Sequence, residues 1–154
     1  MNIIDAILLG FIQGITEFLP ISSSGHLVLG NYFLGLNSDN ILFEVFVHLG
    51  TLFSIIYFYK NNINQIFKGI RNKDKKSFNY LLLIITASIP GFLTGLLFSD
   101  LIKSFYDIQF VSIFFLITGV VLFLSKYSFL KSSLHITFVI AFIIGIAQAL
   151  AVFP

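Results

Sequence analysis

Residues 77–99 read SFNYLLLIITASIPGFLTGLLFS and contain no Asp, Glu, Lys or Arg. A helix that crosses a bilayer needs about 20 mostly apolar residues. Backbone in lipid must also satisfy its own hydrogen bonds, so an apolar run of this length predicts a helix despite its isoleucines. The same four charged residue types are missing from 18–38, 45–59, 108–125 and 132–154. Working outward from 77–99, spanning helices are predicted over 41–59, 80–98, 108–124 and 136–153, each dominated by Phe, Ile and Leu.

The whole-chain arithmetic agrees. Of 154 residues, 57% are hydrophobic and only 10% charged, and mean hydropathy is +0.97. Soluble domains carry roughly a quarter charged residues, so too little charge exists here to cover a water-soluble globule. Disorder and fibrous repeats are excluded by the same figures. The absence of cysteine removes disulfides, thiol catalysis and zinc–thiolate sites. A net charge of +2 gives no footprint for nucleic acid. The opening MNIID has no basic stretch, and Asp5 stands where a cleavable leader would carry positive charge.

Charge distribution sets the expected topology. The link 60–77, KNNINQIFKGIRNKDKKS, holds Lys60, Lys68, Arg71, Lys73, Lys75 and Lys76, six of the nine basic residues. By the positive-inside rule it is expected to be a cytoplasmic loop. Segment 80–98 then runs outward, 99–107 with Asp100 and Asp107 lies outside, and 108–124 returns to Lys126 and Lys131. Residues 37–40, NSDN, are expected on the outer side. The basic residues of 60–77 serve topology first and contact with anionic lipid second.

Residues 1–36 do not form a plain span. The apolar stretch 3–19 is interrupted by Gln13 and Glu17, PISSSGH follows at 20–26, and only ten residues, LVLGNYFLGL, precede NSDN. Ten helical residues cover about 15 Å, half of a hydrocarbon core. The simplest arrangement is a re-entrant helix–loop–helix that enters from outside and turns at 20–24; a tilted single span is the alternative. Irregular backbone at such depth lines a protein-enclosed cavity.

Within 3–19, Ala6, Gly10, Gln13, Gly14 and Glu17 share one helical face. Small residues there admit a neighbouring backbone. An intramembrane carboxylate is expensive, so Glu17 is a functional candidate by default, the plainer reading being a structural partner for another helix. In the loop, Pro20 ends the helix, and Ser22, Ser23 or Ser24 caps the next one. Gly25 lets a ligand approach the new helix start, a site suited to phosphate. His26 is available as acid, base or nucleophile. Together Glu17, the serines and His26 supply an orienting carboxylate, a nucleophile and a proton carrier; a serine-rich cap is the plain alternative.

Glu44, His48 and Thr51 form a weaker stripe, for which helix–helix hydrogen bonding is at least as good a reading. Gly91 and Gly95 form a G-x-x-x-G step, read as a close helix contact. Asp5, Asp100, Lys103 and Asp107 read as interface or loop charges. An internal echo links Gly10-x-x-Gln13-Gly14 to Gly145-x-x-Gln148-Ala149, each followed by an aromatic and a proline. With the two segments entering from opposite sides, the echo suggests an inverted repeat.

The run GFIQGITEFLPISSSGHLVL (10–29) resembles the first signature of the undecaprenyl-diphosphatase, or bacitracin-resistance, family: [E/Q]-x-x-x-E, then F-L-P-[IV]-S-S-[ST]-G-H. FEVFVHLGTLFSII (43–56), IPGFLTGLLF (89–98) and GIAQALAVFP (145–154) are similar to the family in order and spacing. The resemblance covers essentially the whole chain but only about the first half of a usual member. It implies an all-α polytopic transmembrane bundle, the first half of an inverted-repeat architecture, forming one membrane domain over 1–154. In that domain 1–36 is the re-entrant hairpin and 136–154 begins a second re-entrant or transmembrane helix.

The same resemblance implies hydrolysis of undecaprenyl diphosphate to the monophosphate and phosphate at the outer face of the bacterial cytoplasmic membrane. That reaction recycles the lipid carrier for cell-wall synthesis and confers bacitracin resistance. Carried onto this sequence, the acidic pair is Gln13, the permitted variant, and Glu17. The serines are Ser22, Ser23 and Ser24, next to Gly25, and the histidine is His26. Glu17, His26, Ser23 and Gln13 are then the catalytic candidates, with Ser23 or His26 as nucleophile, and Ser22, Ser24 and Gly25 bind substrate. Mg2+ or Ca2+ is implied as cofactor, with Glu17 and Gln13 as candidate ligands. The partners expected are the lipid diphosphate, membrane lipids and, compatibly, further copies of the chain.

The family's second signature, G-x-S-R-S, has no counterpart in 1–154, and the only arginine, Arg71, lies in the basic link. Residues 1–59 contain no Lys or Arg, although a diphosphate needs cationic or metal stabilisation. The chain alone is therefore expected to have little or no activity. A lipid-phosphate flippase or small-anion transporter is the alternative function, and a helical scaffold subunit the plainest one. Chemistry needs the Ser/Ser/His set beside Glu17, transport needs only binding groups, and a scaffold would tolerate alanine at all of them.

Overall fold

The computed structural model of the chain describes residues 1–36, 41–127 and 136–153. Among the described residues all regular structure is helical, in the order α1 (Ile3–Thr16), α2 (Ser23–Phe33), α3 (Ile41–Phe58), α4 (Lys60–Arg71), α5 (Lys75–Leu97), α6 (Ser99–Ser104), α7 (Ile108–Ser125) and α8 (Phe138–Leu150). α5 and α7 are long and apolar enough to cross a membrane singly, and α3 and α4 reach that length only as a pair bent by 68°, the geometry of a broken span or a re-entrant loop. α5 contains no buried residue and α7 only Val111. Phe92, Leu116 and Leu97, each about two-thirds exposed or more, sit on these helices. Contiguous apolar surface on that scale marks a membrane-facing protein. The chain is a polytopic helical membrane protein.

The chain forms two compact units. In the first, residues 1–36, 41–54 and 103–127, α2 folds back on α1 and also packs against α7. α1 starts at a reciprocal capping box: Asn2 Oδ1 accepts from the Asp5 N–H and Asp5 Oδ2 accepts from the Asn2 N–H, both at 2.9 Å. It ends before the break at 17–22. α2 ends in a Schellman turn on Gly35 (φ +63°), with Gly35 N–H donating to Tyr32 O and Leu36 N–H to Asn31 O. Asp107 caps α7 by accepting from Gln109 N–H. Asp5 and Asp107 are thus helix caps. The break and the short α2 make residues 1–36 a helix, a loop and a second helix.

The packing face of α1 differs from the small-residue stripe of the sequence. Leu9, Gln13 and Thr16 are buried, whereas a Cβ on Gly10 or Gly14 would meet nothing within 4 Å. The close approach comes from the other helix. A Cβ on Gly30 of α2 would lie 2.6 Å from Leu9 Cδ2. Bulk on α1 fills the notch of a glycine on α2, the reverse of the expected arrangement.

In the second unit, residues 55–102 and 136–153, α5 packs along α4 and α8. Here too the expected glycines are not the contact. Gly91 and Gly95 leave room for a Cβ, while a Cβ on Gly145 would sit 2.5 Å from Ala87 O and 2.8 Å from Pro90 Cδ. Ala141, Gly145 and Ala149 are the buried positions of α8, a small-xxx-small stripe that admits the α5 backbone. Gln148, the echo of buried Gln13, is exposed.

The basic link 60–77, expected as a loop, is helical over most of its length. α4 takes Lys60–Arg71, a short turn follows, and Asp74 caps α5. Asparagines and lysines hid the periodicity of Ile63, Ile66 and Ile70. α1 and α8, at 14 and 13 residues, each cover about 20 Å, about two-thirds of a hydrocarbon core. Residues 37–40 and Lys131 lie outside the described residues.

Candidate active site at the helix break

The site is built where α1 stops. Glu17 is the C-cap of α1, its N–H donating to Gln13 O at 3.0 Å. One turn back, the Gln13 side chain is fully buried and its Nε2 donates to Glu17 Oε2 at 2.9 Å. The Ser23 hydroxyl donates to the same carboxylate oxygen at 2.5 Å. An ionised carboxylate only accepts, so the amide nitrogen of Gln13 must face it. That orientation leaves Gln13 Oε1 buried with no hydrogen-bond partner among the described groups. A buried acceptor without a donor is uncommon and calls for an explanation in function or an unplaced ligand.

The bend is organised by Ser22. It holds a left-handed backbone (φ 58°), unusual for a residue with a side chain. Two bonds keep it there: its hydroxyl accepts from Gly25 N–H at 3.2 Å, capping α2, and its carbonyl accepts from His26 Nδ1 at 2.7 Å. A carbonyl cannot donate, so Nδ1 carries the proton and Nε2 is the nitrogen left for chemistry. The other wall of the imidazole is Phe115 of α7, with ring centroids 4.7 Å apart.

The sequence-derived candidates are thereby sorted. Gln13, Glu17 and Ser23 join in one hydrogen-bonded set, and Ser22 and His26 in a second on the same bend. Gly25 plays a different part from the ligand approach expected of it. It is buried, and a Cβ there would lie 2.7 Å from Phe115 Cε1, so the missing side chain makes room for that ring.

Ser24 lines a cleft of about 380 Å³ with Glu44, His48 and Tyr106 as polar walls and Val45, Leu49 and Leu52 as apolar ones. His48 Nδ1 donates to Glu44 O at 2.8 Å and Thr51 Oγ1 to His48 O at 2.9 Å. The weaker stripe of the sequence therefore has its hydrogen bonds inside its own helix. Tyr106 and Phe115 were not legible beforehand, since nothing distinguishes them among six tyrosines and twenty phenylalanines.

The donor set around Glu17 is made only of oxygens and an amide. Among the described residues no group of three or more His, Cys, Asp or Glu is placed to hold a metal ion. One carboxylate with a neutral carbonyl oxygen does match what hard divalent cations accept when phosphate oxygens complete the shell. The orphaned Gln13 Oε1 beside Glu17 fits that pattern.

Comparison with known proteins identifies the family of the chain. The family described as bacitracin resistance protein BacA matches residues 6–154. A protein of Thermosipho africanus named undecaprenyl-diphosphatase is 43% identical over 150 residues, covering 96% of this chain and 60% of its own length. One of the same name from Methanococcus vannielii is 40% identical over 153 residues, with 97% and 61% covered. Another from Carboxydothermus hydrogenoformans is 41% identical over 162 residues, with 100% and 58% covered. The chain thus spans about three-fifths of the length of these curated relatives. No solved structure matches it.

Proposed function

The chain belongs to the BacA family of bacitracin resistance proteins, and from that premise we propose that the protein hydrolyses undecaprenyl diphosphate to undecaprenyl phosphate and phosphate. The observation that carries the reading is the pair of hydrogen bonds on Glu17 Oε2, one from Ser23 and one from Gln13. A hydroxyl held on a carboxylate is an activated nucleophile, and the amide fixes the carboxylate for it. A carrier would need groups that bind an anion, and this arrangement instead points a lone pair where a proton must go.

In the proposed reaction Ser23 Oγ attacks the terminal phosphorus while its proton passes to Glu17. The Oγ–P bond forms, the bridging P–O bond breaks, and undecaprenyl phosphate leaves. Water then attacks the phosphoserine with His26 Nε2 taking its proton, the Oγ–P bond breaks, Glu17 returns its proton to Ser23 Oγ, and phosphate is released as the imidazole gives its proton up to solvent. Catalysis of this kind is mostly positioning and charge stabilisation. Glu17 and Gln13 Oε1 would hold a divalent ion such as Mg2+ or Ca2+, which supplies positive charge to the phosphate oxygens when bound. Apolar Val45, Leu49 and Leu52 beside Ser24 offer a wall to the first prenyl unit.

For sidedness, the basic residues between 60 and 76 support a cytoplasmic α4, and the helix break then opens to the outer face of the cytoplasmic membrane. The test is phosphate release from undecaprenyl diphosphate by the full-length gene product in detergent. Loss of release in Glu17→Ala supports the reading, and a wild-type rate in that variant overturns it.

A further inference from the structure

We propose that the cleft between α4 and α5 is a binding site for the headgroup of an anionic phospholipid. This cleft belongs to the second unit, contains none of the residues assigned to hydrolysis, and stands whether or not that reading holds.

The first observation is where α4 begins. α3 ends in Tyr57 and Phe58 and is followed by Tyr59, all exposed, and Lys60 Nζ lies 4.1 Å from the centre of the Tyr57 ring. Tyrosines at the end of an apolar span mark the headgroup level of a membrane. The chain bends there by 68° into α4. α4 packs along α5 with Ile63, Ile66 and Ile70 half-buried, while Phe67 is 66% exposed and Lys68 and Arg71 face outward. A short helix that carries Lys60, Lys68 and Arg71 and leaves a span beside exposed tyrosines has its charges at headgroup depth.

The second observation is the cleft itself. It has a volume of about 430 Å³ and is lined by Ile70, Phe78, Lys73, Lys75 and Asn79. Its lining joins two lysines and an asparagine to one isoleucine and one phenylalanine. That is the chemistry of a phosphate attached to a hydrocarbon chain, and a free anion would leave the apolar lining unused. An acidic lipid satisfies both lysines, whereas a zwitterionic one brings its own cation against them.

The third observation is how the turn beside the cleft is built. α4 ends in a Schellman turn, with Lys73 N–H donating to Ile70 O at 3.0 Å and Asp74 N–H to Gly69 O at 2.9 Å. The left-handed position of that turn, where glycine is the unstrained choice, is held by Lys73 at φ 57°. A Cβ on Gly69 would collide with Ser77 Oγ, so the missing side chain is what lets α4 and the start of α5 come this close. Asp74 is the one acidic residue in the turn, and its carboxylate accepts from Lys76 N–H, Ser77 N–H and Ser77 Oγ. Lys75 and Lys76 meanwhile stand in the first turn of α5, the end of a helix dipole that repels cations. A bound phosphate relieves that repulsion.

The experiment is native mass spectrometry of the detergent-solubilised protein with equimolar phosphatidylglycerol and phosphatidylcholine of identical acyl chains. The wild type is expected to retain phosphatidylglycerol on the order of thirtyfold over phosphatidylcholine, as two interfacial lysines would give. The double variant Lys73→Asn, Lys75→Gln is expected to lose that preference, with asparagine chosen because it tolerates the left-handed backbone. Lys126→Gln, at the end of α7, is expected to keep it. Equal retention of the two lipids by the wild type overturns the proposal without reference to any variant, and so does undiminished selectivity in a double variant of unchanged helicity. Inorganic phosphate at millimolar concentration is expected not to displace the lipid. Displacement by phosphate would replace the proposal with a site for the free anion.

Discussion

The Ser23 hydroxyl donates to the Glu17 carboxylate at 2.5 Å, although the two residues are six apart in sequence. In a continuous α-helix, positions six apart point about 120° away from each other and cannot meet. The bond exists because α1 stops at Thr16 and α2 begins afresh at Ser23. Pro20 and the left-handed Ser22 are therefore part of the chemistry, since they turn the second helix so that its first residue reaches back to the cap of the first.

Glu17→Gln is the sharpest test of the carboxylate as base. The amide can still accept from Ser23 but cannot take its proton. Phosphate release is expected to fall by about 10²- to 10⁴-fold, the usual worth of a positioned general base. A rate within threefold of wild type would remove Glu17 from that role, whatever the structure does.

The nucleophile is identified by trapping. With substrate labelled on its terminal phosphorus and rapid acid quench, label is expected on Ser23, stable to acid. Ser23→Ala is expected to abolish both label and turnover. Acid-labile, base-stable label that disappears in His26→Ala would transfer the nucleophilic role to the imidazole, whose Nε2 is available because Ser22 O holds Nδ1.

Gln13 tests the metal assignment. Gln13→Glu places a second carboxylate one turn from Glu17 and is expected to tighten activation by Mg2+ or Ca2+ several-fold. Gln13→Ala removes the orphaned oxygen and the amide brace together, and is expected to weaken activation while leaving the helix intact by circular dichroism. Activity insensitive to chelator in all three proteins would exclude the ion.

How far the sequence carried is clearest in the first thirty-six residues. The break was legible because Pro20 and ten residues of remaining helix leave no room for a full span. The partners on Glu17 were legible because an i, i+4 spacing puts Gln13 beside it. The packing faces were not. Gly10, Gly14, Gly91 and Gly95 all looked like contacts, and the structure uses Gly30 and Gly145. Glycine spacing says where a backbone could approach, but which helix approaches depends on tertiary geometry, which single-helix periodicity does not encode. α4 was misread as loop because its polar content outweighed its three regularly spaced isoleucines.

Those glycines give a stability prediction. Gly145→Ala puts a methyl 2.5 Å from Ala87 O and 2.8 Å from Pro90, contacts that backbone and ring cannot easily relieve. It is expected to destabilise the second unit by about 1–3 kcal/mol, the usual penalty of overpacking. Gly91→Ala meets nothing and is expected to be neutral or stabilising by up to about 1 kcal/mol through helix propensity. Thermal unfolding of both variants in one detergent checks the pair, and equal midpoints would show that α5 and α8 do not meet at Gly145.

The start of α5 has a pH dependence whose sign is fixed by Asp74. Hydrogen bonds from Ser77, through its side chain and then its backbone, and from the Lys76 N–H, hold this carboxyl below the usual carboxylate range. A group with a depressed folded pKa stabilises the fold at pH above its unfolded value, about 4. That contribution is lost as pH falls through the lower folded value. Protonation takes away the acceptor for two backbone N–H groups, so the first turn of α5 should fray under acid before the rest of the helix does. Hydrogen exchange is the measurement: protection of the Lys76 and Ser77 amides, corrected for the pH dependence of intrinsic exchange, is expected to be constant above pH 5 and to fall below pH 4. Asp74→Asn keeps an oxygen for the cap but cannot titrate, so its corrected protection should be flat over the same range. A wild type equally flat would mean that the carboxylate is not what holds this turn.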